Sequence, residues 1–138
     1  MVRQPQTPFG GLLRELRQDA RLTAAQVGKK AGVSQGYVTR LELGEVPPTS
    51  TAVEQLTRVL DPGGWSLFHA AGIAPPIVEG AFRSTPDLLL LVSRLPVAHR
   101  RALYRELAPM HPGADPASNP AWSETQRRTK RLKRKLLR

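Results

Sequence analysis

Apolar residues recur at helical spacing through the first half of the chain. Residues 9–19 place arginines on one side of a helix and four apolar residues on the other: Phe9, Leu12, Leu13 and Leu16. Residues 50–60 carry a second apolar stripe: Val53, Leu56, Val59 and Leu60. The pattern predicts a helix at each end of this region and favours an all-α domain.

Capping residues and glycines set the limits of two short helices between these stripes. Thr23 followed by Gln26 forms a capping box, which starts a second helix that ends at Gly32. A third helix follows directly, and Gly44 supplies its left-handed stop. Thr49 is placed to cap the fourth helix.

Weaker signals mark the second half of the chain. A short fifth helix is predicted at 65–71, whereas residues 73–84 contain prolines and a glycine and are predicted to form a linker without regular structure. Thr85 as cap and Pro86 as first helical residue start a helical segment, which Pro96 interrupts and which ends near 108.

The second and third helices are separated by a short turn that contains a glycine, and small residues lie on the inward face of the second helix. These conditions let two helices cross closely at a steep angle, as in a helix-turn-helix. The stretch "LRELRQDARLTAAQVGKKAGVSQGYVTRLELGEVPP" resembles the XRE-type family of phage and bacterial repressors, whose lambda-repressor-like fold has five helices. The resemblance covers about residues 9–71 and implies that the third helix enters the DNA major groove.

Given this resemblance, six segments are expected along the chain. The first three are a flexible arm at 1–8, the XRE-type domain at 9–72 and the linker at 73–84. The last three are a helical dimerisation or partner segment at 85–108, a proline-rich flexible linker at 109–122 and a basic tail at 123–138. The expected fold class is therefore all-α, with a five-helix DNA-binding domain followed by a small helical extension and the tail.

Base contacts are expected at the start of the third helix. A glutamine there can pair with N6 and N7 of adenine through both ends of its amide, which makes Gln35 the first candidate for base readout. The resemblance also places Gly36 and Arg40 at base edges, where Arg40 would favour guanine. Ser34 and Thr39 fall at positions that contact phosphate.

Further backbone contacts are implied on both sides of that helix. The backbone amides of Gly44, Glu45 and Val46 match a loop that meets the next phosphate group. At the start of the second helix, Ala24 replaces a glutamine that relatives often carry, so Thr23 and Gln26 are the candidates there.

Two structural expectations accompany the motif. Gly28 lies inside the second helix, at a cost of about 1 kcal/mol relative to alanine, which makes sense if this helix packs tightly against the third. The resemblance pairs Arg17 with Glu42 in a partly buried ion pair that ties the first helix to the third. Glu42 is not expected to contact DNA, since phosphates would repel it.

Charge is concentrated at the end of the chain. The net charge of the 138 residues is +10, and residues 121–138 alone hold three lysines, five arginines and one glutamate. This tail is interpreted as a nucleic-acid arm that adds affinity without sequence choice. Its candidate DNA-binding residues are Arg127, Arg128, Lys130, Arg131, Lys133, Arg134 and Lys135.

The apolar run from Leu88 to Val92 has side chains on more than one side of a helix, which predicts burial against a second subunit as well as its own domain. The candidate dimerisation residues are Trp65, Phe68, Leu88, Leu89, Leu91, Val92, Leu95, Leu103 and Leu107.

Composition excludes several classes of protein. The chain has no cysteine, its three histidines lack metal-ligand spacing, and no catalytic constellation is visible, so no enzyme, metal or cofactor is expected. No segment reads as a signal peptide or membrane span, which predicts a cytoplasmic protein.

These features together predict a prokaryotic or phage regulator, a repressor that binds double-stranded DNA with a near-palindromic operator as a homodimer. Two alternatives stay open: an antitoxin or plasmid or phage control protein whose residues 85–108 bind a protein partner, and a sequence-indifferent nucleic-acid-binding protein driven by the tail.

Overall fold

The computed structural model describes residues 8–114 and, in the tail, residues 127, 130, 131 and 134. The range 8–114 contains eight α-helices: α1 (Pro8–Asp19), α2 (Ala24–Ala31), α3 (Gln35–Glu42), α4 (Ser50–Leu60), α5 (Ser66–Ala71), α6 (Pro76–Ser84), α7 (Pro86–Arg94) and α8 (Val97–Leu107). Two 3-10 turns follow, at Ala108–Met110 and Pro112–Ala114. No strand occurs within these limits, and the all-α prediction is confirmed.

A single apolar cluster holds the first five helices together. Its buried members are Phe9, Leu12, Leu13, Leu16, Val27, Ala31, Val38, Leu41, Val53, Leu56, Leu67 and Phe68. These residues come from α1 to α5, and the two apolar stripes recognised in the sequence supply half of them. Helices α6 to α8 contribute no buried residue, so the core and the extension are separate parts of the described chain.

The limits of α2 to α4 are set by the residues that the sequence indicated. The Thr23 hydroxyl accepts a hydrogen bond from the Gln26 amide at 3.1 Å, and the Thr23 amide donates to Gln26 Oε1 at 2.8 Å, which completes the capping box. Ser34 and Thr49 cap α3 and α4 in the same way through their hydroxyl oxygens. Gly32 closes α2 with a φ of 75°, in the left-handed region.

Two glycines let α3 approach its neighbours closely. A Cβ atom on Gly28 would lie 2.7 Å from the Val33 carbonyl oxygen and 3.2 Å from the Gln35 amide nitrogen, at the turn and the first residue of α3. A Cβ atom on Gly10 would lie 2.8 Å from the Leu41 carbonyl oxygen, near the other end of α3. Backbone therefore packs on backbone at both ends of this helix.

The extension differs from the prediction for residues 73–84, which was wrong in denying them regular structure. Residues Pro76–Ser84 form α6, because a proline at the first helical position lacks only an amide hydrogen that would have no partner there. Thr85 is the N-cap residue of α7, as predicted, but its side chain makes no capping bond to that helix. The Thr85 hydroxyl instead donates to the Ala81 carbonyl oxygen at 3.0 Å, at the end of α6.

Other expectations for the extension have mixed outcomes. Helix α7 begins at Pro86, and α8 begins directly after Pro96. The stretch predicted to be a flexible proline-rich linker starts with the two 3-10 turns, and its residues 115–122 lie outside the described part of the chain.

We predict that Gly28→Ala lowers the free energy of unfolding by about 1–3 kcal/mol, although alanine is the better helix former. The added methyl group has no room against Val33, so α2 and α3 must move apart. Urea denaturation of the full chain measures the difference.

Gly36→Ala is the matched control. Gly36 also lies within a helix, but no atom comes within 4 Å of its missing Cβ. This variant should gain about 0.5–1 kcal/mol from helix propensity. Equal stability of the two variants would show that the contact between α2 and the start of α3 is not tight.

Candidate nucleic-acid interface

Helix α3 is buried on one side and open on the other. Val38 and Leu41 are fully buried in the core, and they fix which side of the helix faces outward. The outward side carries four exposed residues of the predicted DNA-binding set: Gln35, Gly36, Thr39 and Arg40. The predicted base-contact positions thus lie on the exposed side of α3, with Gln35 as the first residue of the helix.

The hydrogen bonds of the predicted phosphate contacts limit what each can do. The Ser34 hydroxyl accepts from the Tyr37 amide at 3.1 Å and keeps its own proton for donation. The Thr39 hydroxyl instead donates to the Gln35 carbonyl oxygen at 3.1 Å. A phosphate oxygen needs a donor, so Thr39 would have to break this bond to contact one.

The start of α2 presents two groups that can donate to phosphate. Gln26 Oε1 is used by the capping box, which fixes the side-chain amide and leaves its Nε2 group as a donor. Thr23 accepts through its hydroxyl oxygen and likewise keeps its proton. Both residues are exposed, and they lie at the end of α2 where backbone amides also point outward.

The loop after α3 corrects one prediction. The Gly44 amide donates to the Leu41 carbonyl oxygen at 3.1 Å, and the Glu45 amide donates to the Arg40 carbonyl oxygen at 2.9 Å. These bonds close the helix with Gly44 at a φ of 72°, so neither amide is available to phosphate. Val46 is the remaining candidate of the three. The Glu45 side chain is exposed, with its Oε2 4.0 Å from Arg40 Nε.

A buried carboxylate holds the inner end of α3 against α1. Glu42 is 3% exposed, and its Oε1 accepts from Arg17 Nε at 2.5 Å while its Oε2 accepts from Arg17 Nη2 at 3.1 Å. Arg17 also donates to the Leu22 carbonyl oxygen at 3.1 Å. Arg14 Nε adds a longer contact to Glu42 Oε2, at 3.4 Å.

The surroundings of Arg17 favour its charged form. The hydrogen bond to Glu42 raises the pKa of Arg17 above its usual value, burial opposes this shift, and Coulomb attraction to Glu42 adds to it. Arg14 escaped the sequence prediction, although it lies three residues before Arg17 and therefore on the same side of α1. The carboxylate faces inward, away from the exposed edge of α3.

The tail is described at four residues, each in helical conformation: Arg127, Lys130, Arg131 and Arg134. All four are exposed, but Arg131 Nη2 lies 2.5 Å from Glu15 Oε1 on α1. Arg131 therefore contacts the folded domain in this structure. Arg128, Lys133 and Lys135 lie outside the described residues.

The predicted dimerisation residues fall into two groups. Phe68 is 5% exposed and belongs to the core of the first five helices, so its prediction as a subunit contact was wrong. Trp65 is half-buried beside it. On α7 and α8, Leu88, Leu91 and Leu107 are exposed, whereas the remaining candidates are half-buried: Leu89, Val92, Leu95 and Leu103.

Two other kinds of site are absent from the described residues. These residues contain no group of three or more histidine, cysteine, aspartate or glutamate side chains that could hold a metal ion. None of their helices combines the length and the apolar character that crossing a bilayer requires.

An exposed α3 held at a tight turn against α2 defines a helix-turn-helix, and comparison with known proteins agrees. Residues 8–63 match the family described as "Helix-turn-helix domain". Two uncharacterised HTH-type transcriptional regulators of Mycobacterium tuberculosis, from strains CDC 1551 and H37Rv, are each 25% identical over 113 residues. These alignments cover 75% of this chain and 81% of each relative, so the similarity extends beyond the matched domain. No solved structure matches the chain significantly.

We predict that Glu42→Ala lowers the free energy of unfolding by about 2–4 kcal/mol, because Arg17 and Arg14 lose the carboxylate that compensates them at the edge of the core. Thermal or urea unfolding of the full chain measures this change.

Glu45→Ala provides the control, since it also removes a glutamate that faces an arginine, but in an exposed position. Its effect should stay within about 0.5 kcal/mol. If the free energy of unfolding falls by the same amount in both variants, the buried cluster does not anchor α3.

Proposed function

We propose that the protein is a sequence-specific DNA-binding transcriptional regulator of the XRE type, which represses as a homodimer on a near-palindromic operator in the cytoplasm. The main support for the proposal is the outward side of α3, where Gln35, Gly36 and Arg40 are exposed. The opposite side of the helix is buried in the core. The two relatives named as HTH-type transcriptional regulators support the regulatory role.

Gln35 is the residue best placed to read a base. As the first residue of α3 it projects from the end of the helix that enters the major groove in this motif. Its amide can accept from adenine N6 and donate to N7. Gly36 beside it has no side chain, so the helix can approach the base pairs closely at this point.

Arg40 supplies a second contact one turn further along α3. Its side chain is 59% exposed, and its contact with Glu45 at 4.0 Å is long and open to solvent. Such a pair contributes little to stability, so the guanidinium is free to turn towards guanine O6 and N7 at small cost. The Glu45 carboxylate would then repel a phosphate at its own position and so help to set the position of the protein along the DNA.

Two copies are needed for a site of useful length. Each α3 covers only a few base pairs, and a dimer places the second α3 about 34 Å away, one turn of the double helix along. The two half-sites are then related by symmetry, which makes the operator a near palindrome. A dimer bound across a promoter excludes polymerase, and repression follows from this occlusion.

We predict that Gln35→Ala lowers affinity for the operator by about 5- to 150-fold and relaxes the preference at one base pair of each half-site. The operator is first selected from genomic fragments with the purified protein. Fluorescence anisotropy on every single-base variant of that operator then measures the change.

Gln18→Ala removes an equally exposed amide from α1 and should leave the base preferences unchanged. A Gln35 variant that weakens operator and random DNA to the same extent would contradict base readout by α3.

The basic tail is proposed to add affinity that does not depend on sequence. Its net charge of +7 over residues 121–138 suits the phosphate backbone, and each phosphate it neutralises releases bound counterions. Among the described residues of the tail, Arg131 contacts Glu15 on α1. Phosphates would compete with Glu15 for that guanidinium.

Truncation after Pro120 should therefore make the plot of log affinity against log salt shallower, by about 0.9 for each phosphate that the tail neutralises. The ratio of operator to random-DNA affinity should change little. A chain whose eight tail cations are replaced by glutamine is the control for length. A fall in operator preference on truncation would instead favour a tail that contributes to specificity.

A further inference from the structure

Helices α6 and α7 form a hairpin with an open apolar groove between them. The groove has a volume of about 620 Å³, and its apolar walls include Val78, Phe82, Leu89 and Leu90. Glu79 and Arg83 line the same groove. We propose that the α6–α7 hairpin binds the hairpin of a second copy of this chain, with the two α6 helices antiparallel.

The apolar surface is too extensive for a small molecule to cover. All the exposed large apolar side chains of the described residues lie between Ile77 and Met110, in or just after the three helices of the extension. Ile77 and Leu91 are 67% and 59% exposed and lie outside the groove. A ligand in the groove would leave them in water, whereas a second helical hairpin can cover both sides.

The charges on α6 indicate which hairpin fits. Glu79 and Arg83 are four residues apart in the order that favours an ion pair within a helix, yet these two described residues form no ion pair with each other, unlike Glu54 and Arg58 on α4. In a contact with twofold symmetry, a residue i of one copy meets j of the other while j meets i. Two antiparallel α6 helices that cross between these positions place each Glu79 opposite the Arg83 of the other copy.

Gly80 supports a crossing at the same place. It lies inside α6, where glycine costs about 1 kcal/mol relative to alanine, and among the described residues no atom from outside the backbone of α6 and the two neighbouring residues comes within 4 Å of its missing Cβ. Gly80 follows Glu79 and precedes Arg83 by three residues, so all three share one side of the helix. The backbone of a second α6 could approach closely there. This contact would explain the glycine, which packing within one copy does not.

The inference deepens the proposed function, because it names the surface that joins the two copies on an operator. It is tested without DNA, by sedimentation equilibrium of the full chain over a range of concentrations. Wild type should form a dimer. Glu79→Arg and Arg83→Glu should each weaken the dimer by about tenfold or more, since each variant replaces two attractions by two repulsions.

The double variant Glu79→Arg with Arg83→Glu should restore the dimer to within about threefold of wild type, because the complementary pairing returns in reverse. A purely structural role of either residue, or a site for a small molecule, would not give this rescue. A double variant as weak as the single ones overturns the proposal.

Two further variants test the packing. Phe82→Glu should weaken the dimer by at least about tenfold, whereas Val97→Glu, at a residue of similar exposure on α8, should not. Gly80→Ala should raise the helix content or stability of the monomer but weaken the dimer. Circular dichroism shows whether each variant keeps its fold.

The outcome is separable from that for DNA reading. A wild-type chain that stays monomeric to about 100 μM, or that gains mass only with a different protein, overturns the proposed surface, whatever the DNA assays give. Loss of base preference in Gln35→Ala would still be measurable on a half-site. Conversely, a dimer that obeys the charge rescue but ignores DNA sequence would contradict the proposed function alone.

Discussion

The tight packing of both ends of α3 against its neighbours is the constraint on which the rest of the structure depends. Gly28 admits the turn and the first residue of α3 to van der Waals distance, Gly10 admits the backbone at its far end, and Glu42 is held there by Arg17 and Arg14. A helix of eight residues has little stability of its own in water. Its orientation must therefore come from these contacts, which leave only the outward edge free for another molecule.

How much of this arrangement could be predicted depends on how far apart in the sequence the interacting residues are. The caps at Thr23, Ser34 and Thr49 are local, and residue identity over four positions was enough to find them. The tight approach at Gly28 could be inferred because a glycine inside a helix has a cost that needs a reason. The partners Arg17 and Glu42, 25 residues apart, came only through resemblance to a known family.

The predictions that were wrong also depend on contacts or backbone positions that a short stretch of sequence does not show. Prolines and a glycine suggested a break at 73–84, yet a proline in the first helical turn is compatible with α6, and the position of Pro76 decides the outcome. The loop amides of Gly44 and Glu45 are used to close α3, which depends on the left-handed φ of Gly44. Phe68 shows that an aromatic residue in a short helix cannot be assigned to core or interface without the neighbouring helices.

The two parts of the described chain differ in how they are stabilised. Helices α1 to α5 share a buried cluster, whereas α6 to α8 bury no residue within one copy. Since short helices without a core are marginal in water, a partner that covered the extension would add to its stability. If that cover is a second copy, assembly orders the extension and fixes the spacing of the two α3 helices at the same time. Operator affinity would then depend on protein concentration more steeply than for a preformed rigid dimer, because ordering and association occur in one step.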